Sequence, residues 1–267
     1  MLLATVFFCS LLFKPLFVSL ISLILLVGAW EWAGLADLRQ PAHRLLYVCI
    51  TALLLLLVSF IANISPQLTM DVEVIRYLLL ISVSWWALSL LWIQGYPSSA
   101  VLWGNRWVLA LMGWVVLIPG WVALVYLQGH PKGNGLILLV VAIVITADVG
   151  AYFLGKMLGR RKLAPIISPG KSWEGFWGGL IACMLLGLLV AWAVDFSQWI
   201  SLLAVIILVA LASIVGDLVE SMVKRHRGVK DSGNILPGHG GVLDRIDSLM
   251  AAVPVFTLVI ITADWKI

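Results

Sequence analysis

Five acidic residues lie inside strongly apolar stretches of this chain or at their ends. Only thirteen of the 267 residues are Asp or Glu. Asp217 and Glu220 close one apolar stretch, Asp244 and Asp247 open another, and Asp148 lies well inside a third. An ionisable side chain buried among lipid-like groups costs roughly 2.5–3.5 kcal/mol on insertion scales unless it is paired or liganded. These carboxylates therefore need cationic partners.

Two kinds of partner would satisfy them. Each pair is spaced i,i+3, so its two carboxylates share one face of a helix. Oxygen ligands that converge from separate helices suit Mg²⁺ or another divalent cation, with substrate phosphates completing the shell. The alternative is a set of structural ion pairs, such as Glu220 with Lys224 at i,i+4. We predict a metal site, with ligands bound directly or through water from Asp217, Glu220, Asp244 and Asp247.

The segment between the two acidic pairs combines bases with glycines. Residues 221–247 read SMVKRHRGVKDSGNILPGHGGVLDRID. Glycine lets backbone N–H groups come close to a phosphate, and Lys and Arg neutralise its charge. A loop that only fixed membrane orientation would need the bases but neither the GHGG run nor the interspersed acids. His239 has two interpretations, as a group that binds or orients phosphate and as a structural histidine.

A second cluster precedes a later apolar stretch. Residues 167–175 read ISPGKSWEG, in which Ser-Pro-Gly is typical of a turn and Ser172 is placed to cap the next helix. The functional interpretation makes Lys171 and the helix N-terminus a phosphate site. The alternative is an interfacial turn anchored by Trp173, and spacing alone favours neither.

The elements that carry these residues are membrane helices. The chain is 63% apolar and 11% charged, whereas a soluble domain is about 25% charged. Since about 20 apolar residues cross a bilayer, we predict an all-α, polytopic transmembrane protein with eight or nine membrane segments. Residues 2–13 are apolar but short, and they decide between the two counts. The eight spans are 16–35, 45–63, 74–94, 107–127, 135–155, 174–194, 199–219 and 247–264.

The bases predict the orientation. We divide the chain into N-terminal helices, 1–134, and a C-terminal catalytic region, 135–267, whose loops 156–173 and 220–246 hold five Lys and Arg each. These loops are two spans apart and therefore share a side. With three further arginines that side holds 13 of the 17 bases, which predicts that it faces the cytoplasm. The three are Arg39, Arg44 and Arg106.

Residues 221–247 resemble the signature of the phosphatidate cytidylyltransferases, also called CDP-diglyceride synthases. That pattern is Ser-x-apolar-Lys-Arg, four residues, Lys-Asp-x-small, two residues, apolar-Pro-x-His-Gly-Gly-apolar-x-Asp-Arg-apolar-Asp, and this sequence meets every fixed position. The stretches TADVGAYFLGK, SPGKSWEG and GDLVES also resemble the family, in the expected order. The resemblance covers roughly residues 135–264, and Ser172 stands where Thr is common.

The resemblance implies a reaction. The phosphate of phosphatidic acid would attack the α-phosphorus of CTP, giving CDP-diacylglycerol and pyrophosphate without a protein nucleophile. The implied partners are CTP, phosphatidic acid and the lipid bilayer, with no nucleic acid and with a homodimer left open. The implied cofactor is Mg²⁺ or another divalent cation. The implied location is the bacterial inner membrane, with the active site facing the cytoplasm.

The resemblance also implies roles for the charged residues, of which Asp217, Glu220, Asp244 and Asp247 would hold the metal. The catalytic set is Asp217, Asp244, Asp247, Lys224, Arg225 and His239. The substrate-binding set is Ser168, Lys171, Lys230, Asp231, Arg245 and Asp148.

Two other classes of membrane protein share parts of this pattern. A CTP-dependent kinase of polyprenols or similar lipid alcohols would have to deprotonate a hydroxyl, and the full signature at 221–247 argues against it. An ion-coupled transporter would place its charges near the bilayer midplane, often in repeated halves. Here most charges cluster at one face and no repeat is visible.

Overall fold

A computed structural model of the chain describes residues 11, 13–65, 67–236, 238 and 240–263, and it confirms the all-α polytopic fold. Among these described residues, seven helices are long and apolar enough to cross a membrane. They are α1 (Lys14–Leu35), α2 (Pro41–Ile61), α3 (Val72–Gly95), α5 (Arg106–Gly129), α6 (Gly133–Leu158), α7 (Trp173–Ala193) and α8 (Trp199–His226). A four-residue helix, α4 (Ala100–Trp103), precedes α5, and a shorter apolar helix, α9 (Asp247–Thr262), closes the described chain. Each of the eight predicted spans thus has a helix, while the predicted short segment 2–13 falls almost wholly outside the described residues.

Helix α8 is longer than the predicted span. It continues from 219 to His226, so Glu220, Lys224 and Arg225 lie on its last two turns, whereas the sequence had placed them in a loop. The charges end the apolar pattern, but they do not end the helix, because bases near a helix C-terminus interact favourably with the helix dipole. The loop that remains, residues 227–242, is called the signature loop below.

The loop between α6 and α7 contains a small antiparallel hairpin that the sequence did not predict. Strand β1 (Lys162–Ala164) pairs with β2 (Ser168–Ser172), so the Ser-Pro-Gly run lies in a strand rather than in a turn. A proline is tolerated there because a two-stranded sheet has only edge strands. The predicted helix cap is confirmed, since Ser172 Oγ accepts a hydrogen bond of 3.1 Å from Gly175 N at the start of α7.

Helices α6 and α7 pack with almost no side-chain layer between them. A Cβ at Gly150 would lie 2.8 Å from Gly178 O, and one at Gly175 would lie 2.7 Å from Ala151 O. Small residues of this kind allow the close backbone approach that stabilises membrane helix pairs. This contact brings the start of α7 beside the C-terminal half of α6.

Helix α9 packs equally closely on α8. A Cβ at Gly216 would lie 2.6 Å from Asp247 O, so the start of α9 lies beside the acidic end of α8. A 3₁₀ turn, Leu243–Arg245, joins the signature loop to α9 and contacts α1.

The basic loops meet on one side of the helices, as parity predicted. Arg225 Nε donates to Ile167 O at 3.1 Å, which joins the end of α8 to the hairpin loop. Arg227 Nη2 lies 2.5 Å from Asp37 Oδ1, which joins the signature loop to the segment between α1 and α2. These contacts place the loops on a common side of the helices.

Candidate active site

The charged residues form two groups where α6, α7, α8 and α9 converge. We call Glu220, Lys224 and Asp244 the inner cluster, because their side chains are at most 10% exposed. We call Asp148, Lys171 and Asp217 the cleft cluster, because all three line one open cavity. Six of the predicted site residues are thus brought together in two neighbouring sets.

The inner cluster is centred on one lysine. Lys224 Nζ lies 3.1 Å from Glu220 Oε1 and 2.5 Å from Asp244 Oδ1. Asp244 Oδ2 also accepts hydrogen bonds from Gly241 N at 2.8 Å and Ser232 N at 3.0 Å. Burial opposes ionisation of Asp244, but the bonds from Lys224 and the two amides outweigh it and lower the pKa of Asp244 to about 2. Asp244 therefore carries its negative charge throughout the physiological pH range.

The second oxygen of Glu220 is a buried acceptor. Its Oε2 has no hydrogen-bond partner among the described residues. Glu220 and Asp247 line one small cavity of about 10 Å³, roughly the space of a single water. Since an unsatisfied buried carboxylate oxygen is costly, this acceptor fits a cation bound between α8 and α9.

The cleft cluster lines a cavity of about 360 Å³. Lys171 Nζ lies 2.7 Å from Asp217 Oδ2, and both side chains are about a quarter exposed. Ser221 Oγ donates to the other oxygen, Asp217 Oδ1, at 3.1 Å. Asp148 lines the same cavity from α6. The rest of the wall is largely apolar and includes Ala147, Ala151, Phe176 and Ile214.

Asp217, Glu220 and Asp244 each contact a lysine in this structure. No three Asp, Glu, His or Cys side chains in the described part of the chain are grouped closely enough to form a metal centre. The ion-pair interpretation accounts for the contact of Glu220 with Lys224 at the expected i,i+4 spacing. The chemistry of the donor set suits a hard cation, so a metal site at Asp217, Glu220, Asp244 and Asp247 stays a prediction.

The other predicted residues lie around the two clusters. Arg225 holds backbone carbonyls of both basic loops, Ile167 O at 3.1 Å and Val229 O at 3.3 Å, which is a structural contact. Three predicted substrate-binding residues are exposed, and Ser168 lies at the start of β2. The three are Lys230, Asp231 and Arg245. His239 lies outside the described residues.

The sequence interpretation missed Glu31. This residue is 2% exposed, and its carboxylate accepts hydrogen bonds from Val242 N at 3.0 Å and Leu243 N at 2.7 Å. The available signal was a lone carboxylate near the end of the first apolar stretch, the same signal that identified Asp148.

Comparison with known proteins identifies similar chains. The model of a family described as the cytidylyltransferase family matches residues 1–263. A phosphatidate cytidylyltransferase of Pseudomonas aeruginosa is 46% identical over 251 residues, covering 93% of this chain and 89% of the relative. One of Haemophilus influenzae is 38% identical over 273 residues, covering 96% of this chain and 94% of the relative. One of Staphylococcus aureus (strain COL) is 48% identical over 138 residues, covering 51% of this chain and 53% of the relative.

Proposed function

Because this chain belongs to the cytidylyltransferase family, we infer that it transfers the cytidylyl group of CTP to phosphatidate, giving CDP-diacylglycerol and pyrophosphate. The observation that carries this function is the family match over residues 1–263, together with two relatives named phosphatidate cytidylyltransferase that align along most of both chains. The seven long apolar helices in the described part of the chain, together with the bacterial relatives, fit a multi-pass inner-membrane protein.

The lipid phosphate fits the cleft cluster. The cavity has a cationic end at Lys171, beside the N-terminus of α7, and an apolar wall formed by residues such as Phe176 and Ile214. A helix N-terminus and an ammonium both favour a phosphate, while an apolar wall suits the glycerol and acyl portions of a lipid. We therefore assign phosphatidate binding to this cavity, with Lys171 exchanging Asp217 for a phosphate oxygen.

The nucleotide fits the inner cluster and the signature loop. Lys224 already lies between two carboxylates, and Lys230, Asp231 and Arg245 supply exposed polar groups for a triphosphate from solution. Mg²⁺ held by Asp217, Glu220, Asp244 and Asp247 would neutralise charge on the phosphates and on the leaving pyrophosphate. The lysines orient the attacking phosphate and the α-phosphate, and no side chain needs to be deprotonated because the lipid phosphate is already ionised.

The site belongs mainly to the C-terminal region. We propose that residues 135–267 supply the charged groups and that residues 1–134 support them. A homodimer remains part of the proposal, and each copy would have its own clusters because every member of both clusters comes from one chain.

The reaction type is tested with labelled CTP. Label on the α-phosphate will enter the chloroform-soluble product when purified protein, phosphatidic acid and Mg²⁺ are incubated together, whereas γ-label will leave as pyrophosphate. Phosphatidic acid is omitted from a parallel reaction as the control. Transfer of γ-label to lipid would instead establish a CTP-dependent lipid kinase.

Orientation is tested with single cysteines. In a cysteine-free background, Lys162→Cys and Lys230→Cys will escape a membrane-impermeant thiol reagent in intact cells, because 13 of 17 bases favour a cytoplasmic location for these loops. Lys132→Cys, between α5 and α6, is the matched control and will react. Labelling of either loop before the cells are permeabilised would reverse the proposed orientation.

A further inference from the structure

The signature loop is fixed by a carboxylate from the first helix. Glu31 Oε1 accepts from Val242 N at 3.0 Å, and Oε2 accepts from Leu243 N at 2.7 Å and from Ser232 Oγ at 3.3 Å. Glu31 therefore contacts both the middle and the end of the loop. At 2% exposure it is shielded from water, which would otherwise compete for these bonds.

The same two segments of the loop also bind Asp244. Ser232 donates its hydroxyl to Glu31 and its backbone N–H to Asp244 Oδ2 at 3.0 Å. Gly241 N donates to Asp244 at 2.8 Å, and the next two amides donate to Glu31. Three successive N–H groups thus end on two carboxylates. A displacement of Glu31 would move the loop segment that holds Asp244, and Asp244 in turn holds Lys224.

Glu31 also explains why glycine occurs at two positions where the backbone conformation does not require it. Left-handed φ values occur at Gly228, Gly238 and Gly240, but Gly233 and Gly241 have none. A Cβ at Gly233 would clash with Glu31 Oε1, and one at Gly241 would clash with Ser232 Oγ and lie 2.7 Å from each Glu31 oxygen. These two glycines therefore make room for a carboxylate of the protein, a role different from the approach to phosphate expected from the sequence.

We propose that Glu31 is a positioning residue for cytidylyl transfer, which sets Asp244 and Lys224 through the backbone of the signature loop. The proposal rests on the proposed function for its activity assay, but the contact itself can be tested without turnover. Glu31 contacts loop atoms rather than the predicted phosphate-binding side chains, so its removal should lower kcat more than it changes the KM for either substrate.

The first test is a conservative substitution. Glu31→Gln preserves the shape of the side chain, but its amide NH₂ faces a backbone donor, so kcat should fall about 10- to 100-fold with either KM changed less than threefold. Glu31→Asp keeps the charge but cannot reach both ends of the loop, so its kcat should lie between that of Glu31→Gln and that of the wild type. Glu73→Gln, in an exposed ion pair with Arg76, is the control and should retain wild-type kcat. A Glu31→Gln variant with kcat within twofold of wild type would overturn the proposal.

The second test is a coupling that needs no activity. Gly233→Ala should lower the apparent melting temperature in detergent when Glu31 is present, because the three nearest atoms to its Cβ all belong to Glu31. In a Glu31→Ala background the same change should have little or no effect. Additive effects would refute the contact. If the wild type made no labelled lipid, the proposed function would fail. The melting temperatures of the two single variants and the double variant would still decide whether Glu31 holds the loop.

Discussion

Asp244→Asn will lower kcat/KM at least about 100-fold, and Asp247→Asn will lose most activity as well, while both proteins still insert and can be extracted normally. Asparagine preserves the shape of aspartate but removes its charge. At position 244 the amide would also turn an NH₂ group toward donors now satisfied by the carboxylate, Lys224 Nζ at 2.5 Å and Gly241 N at 2.8 Å. Both residues are also proposed to hold the divalent cation, so each variant should shift the requirement for Mg²⁺.

The deciding measurement is activity against Mg²⁺ concentration for the wild type and both variants. Asp195→Asn is the matched control, since Asp195 has a left-handed φ of 48°, which asparagine adopts readily, and it lies between α7 and α8, away from both clusters. Near-normal turnover with an unchanged Mg²⁺ half-saturation would show that the substituted residue is not a ligand. The metal assignment would then move toward Asp217 and Glu220.

The structural ion-pair interpretation makes a different forecast for the same variants. If the carboxylates only neutralise lysines, the substitutions should lower thermal stability in detergent, and added Mg²⁺ should not matter to the wild type. Parallel melting curves with and without Mg²⁺ therefore separate the two interpretations.

Lys224→Met will destabilise the protein by about 3–5 kcal/mol and abolish activity. Lys224 is the cation that two buried carboxylates share, and removing one partner of a buried ion pair leaves an uncompensated charge. Methionine fills a similar volume, so lost packing would contribute little. The measurement is the denaturant or thermal midpoint in detergent, together with α-label transfer.

A second substitution distinguishes charge from packing at this position. Lys224→Met combined with Glu220→Gln removes one of the two carboxylate charges and should recover part of the lost stability without recovering activity. Lys132→Met, at an exposed position between α5 and α6, is the control and should change neither property. A Lys224→Met protein as stable and as active as the wild type would mean that the carboxylates are neutralised in some other way.

Several local features of this protein could be predicted from its sequence, but most individual contacts between distant residues could not. The helices followed from apolar length, and the cap at Ser172 and the pair of Glu220 with Lys224 followed from spacing along the chain. The end of α8 was placed too early because hydropathy falls at its charges, although the backbone continues in the same conformation.

The contact of Glu31 with the signature loop could not be predicted in this way. Periodicity reports which face of a helix is apolar, and motif spacing reports neighbours within one element. Neither reports which distant backbone amide a buried carboxylate will meet. The resemblance also pointed away from Glu31, because it covers the second half of the chain well and the first half only in its hydrophobicity.

The bond between Glu31 and Leu243 has a consequence for biogenesis. Its two ends are 212 residues apart, and a chain leaves the ribosome N-terminus first. Helix α1 must therefore enter the bilayer long before its partner loop exists, and during that interval water at the membrane face has to hydrate the carboxylate, which lies one turn from the end of the helix. The site can assemble only after α8, the signature loop and the start of α9 have been translated, so a nascent chain that has not yet reached α9 cannot begin lipid chemistry.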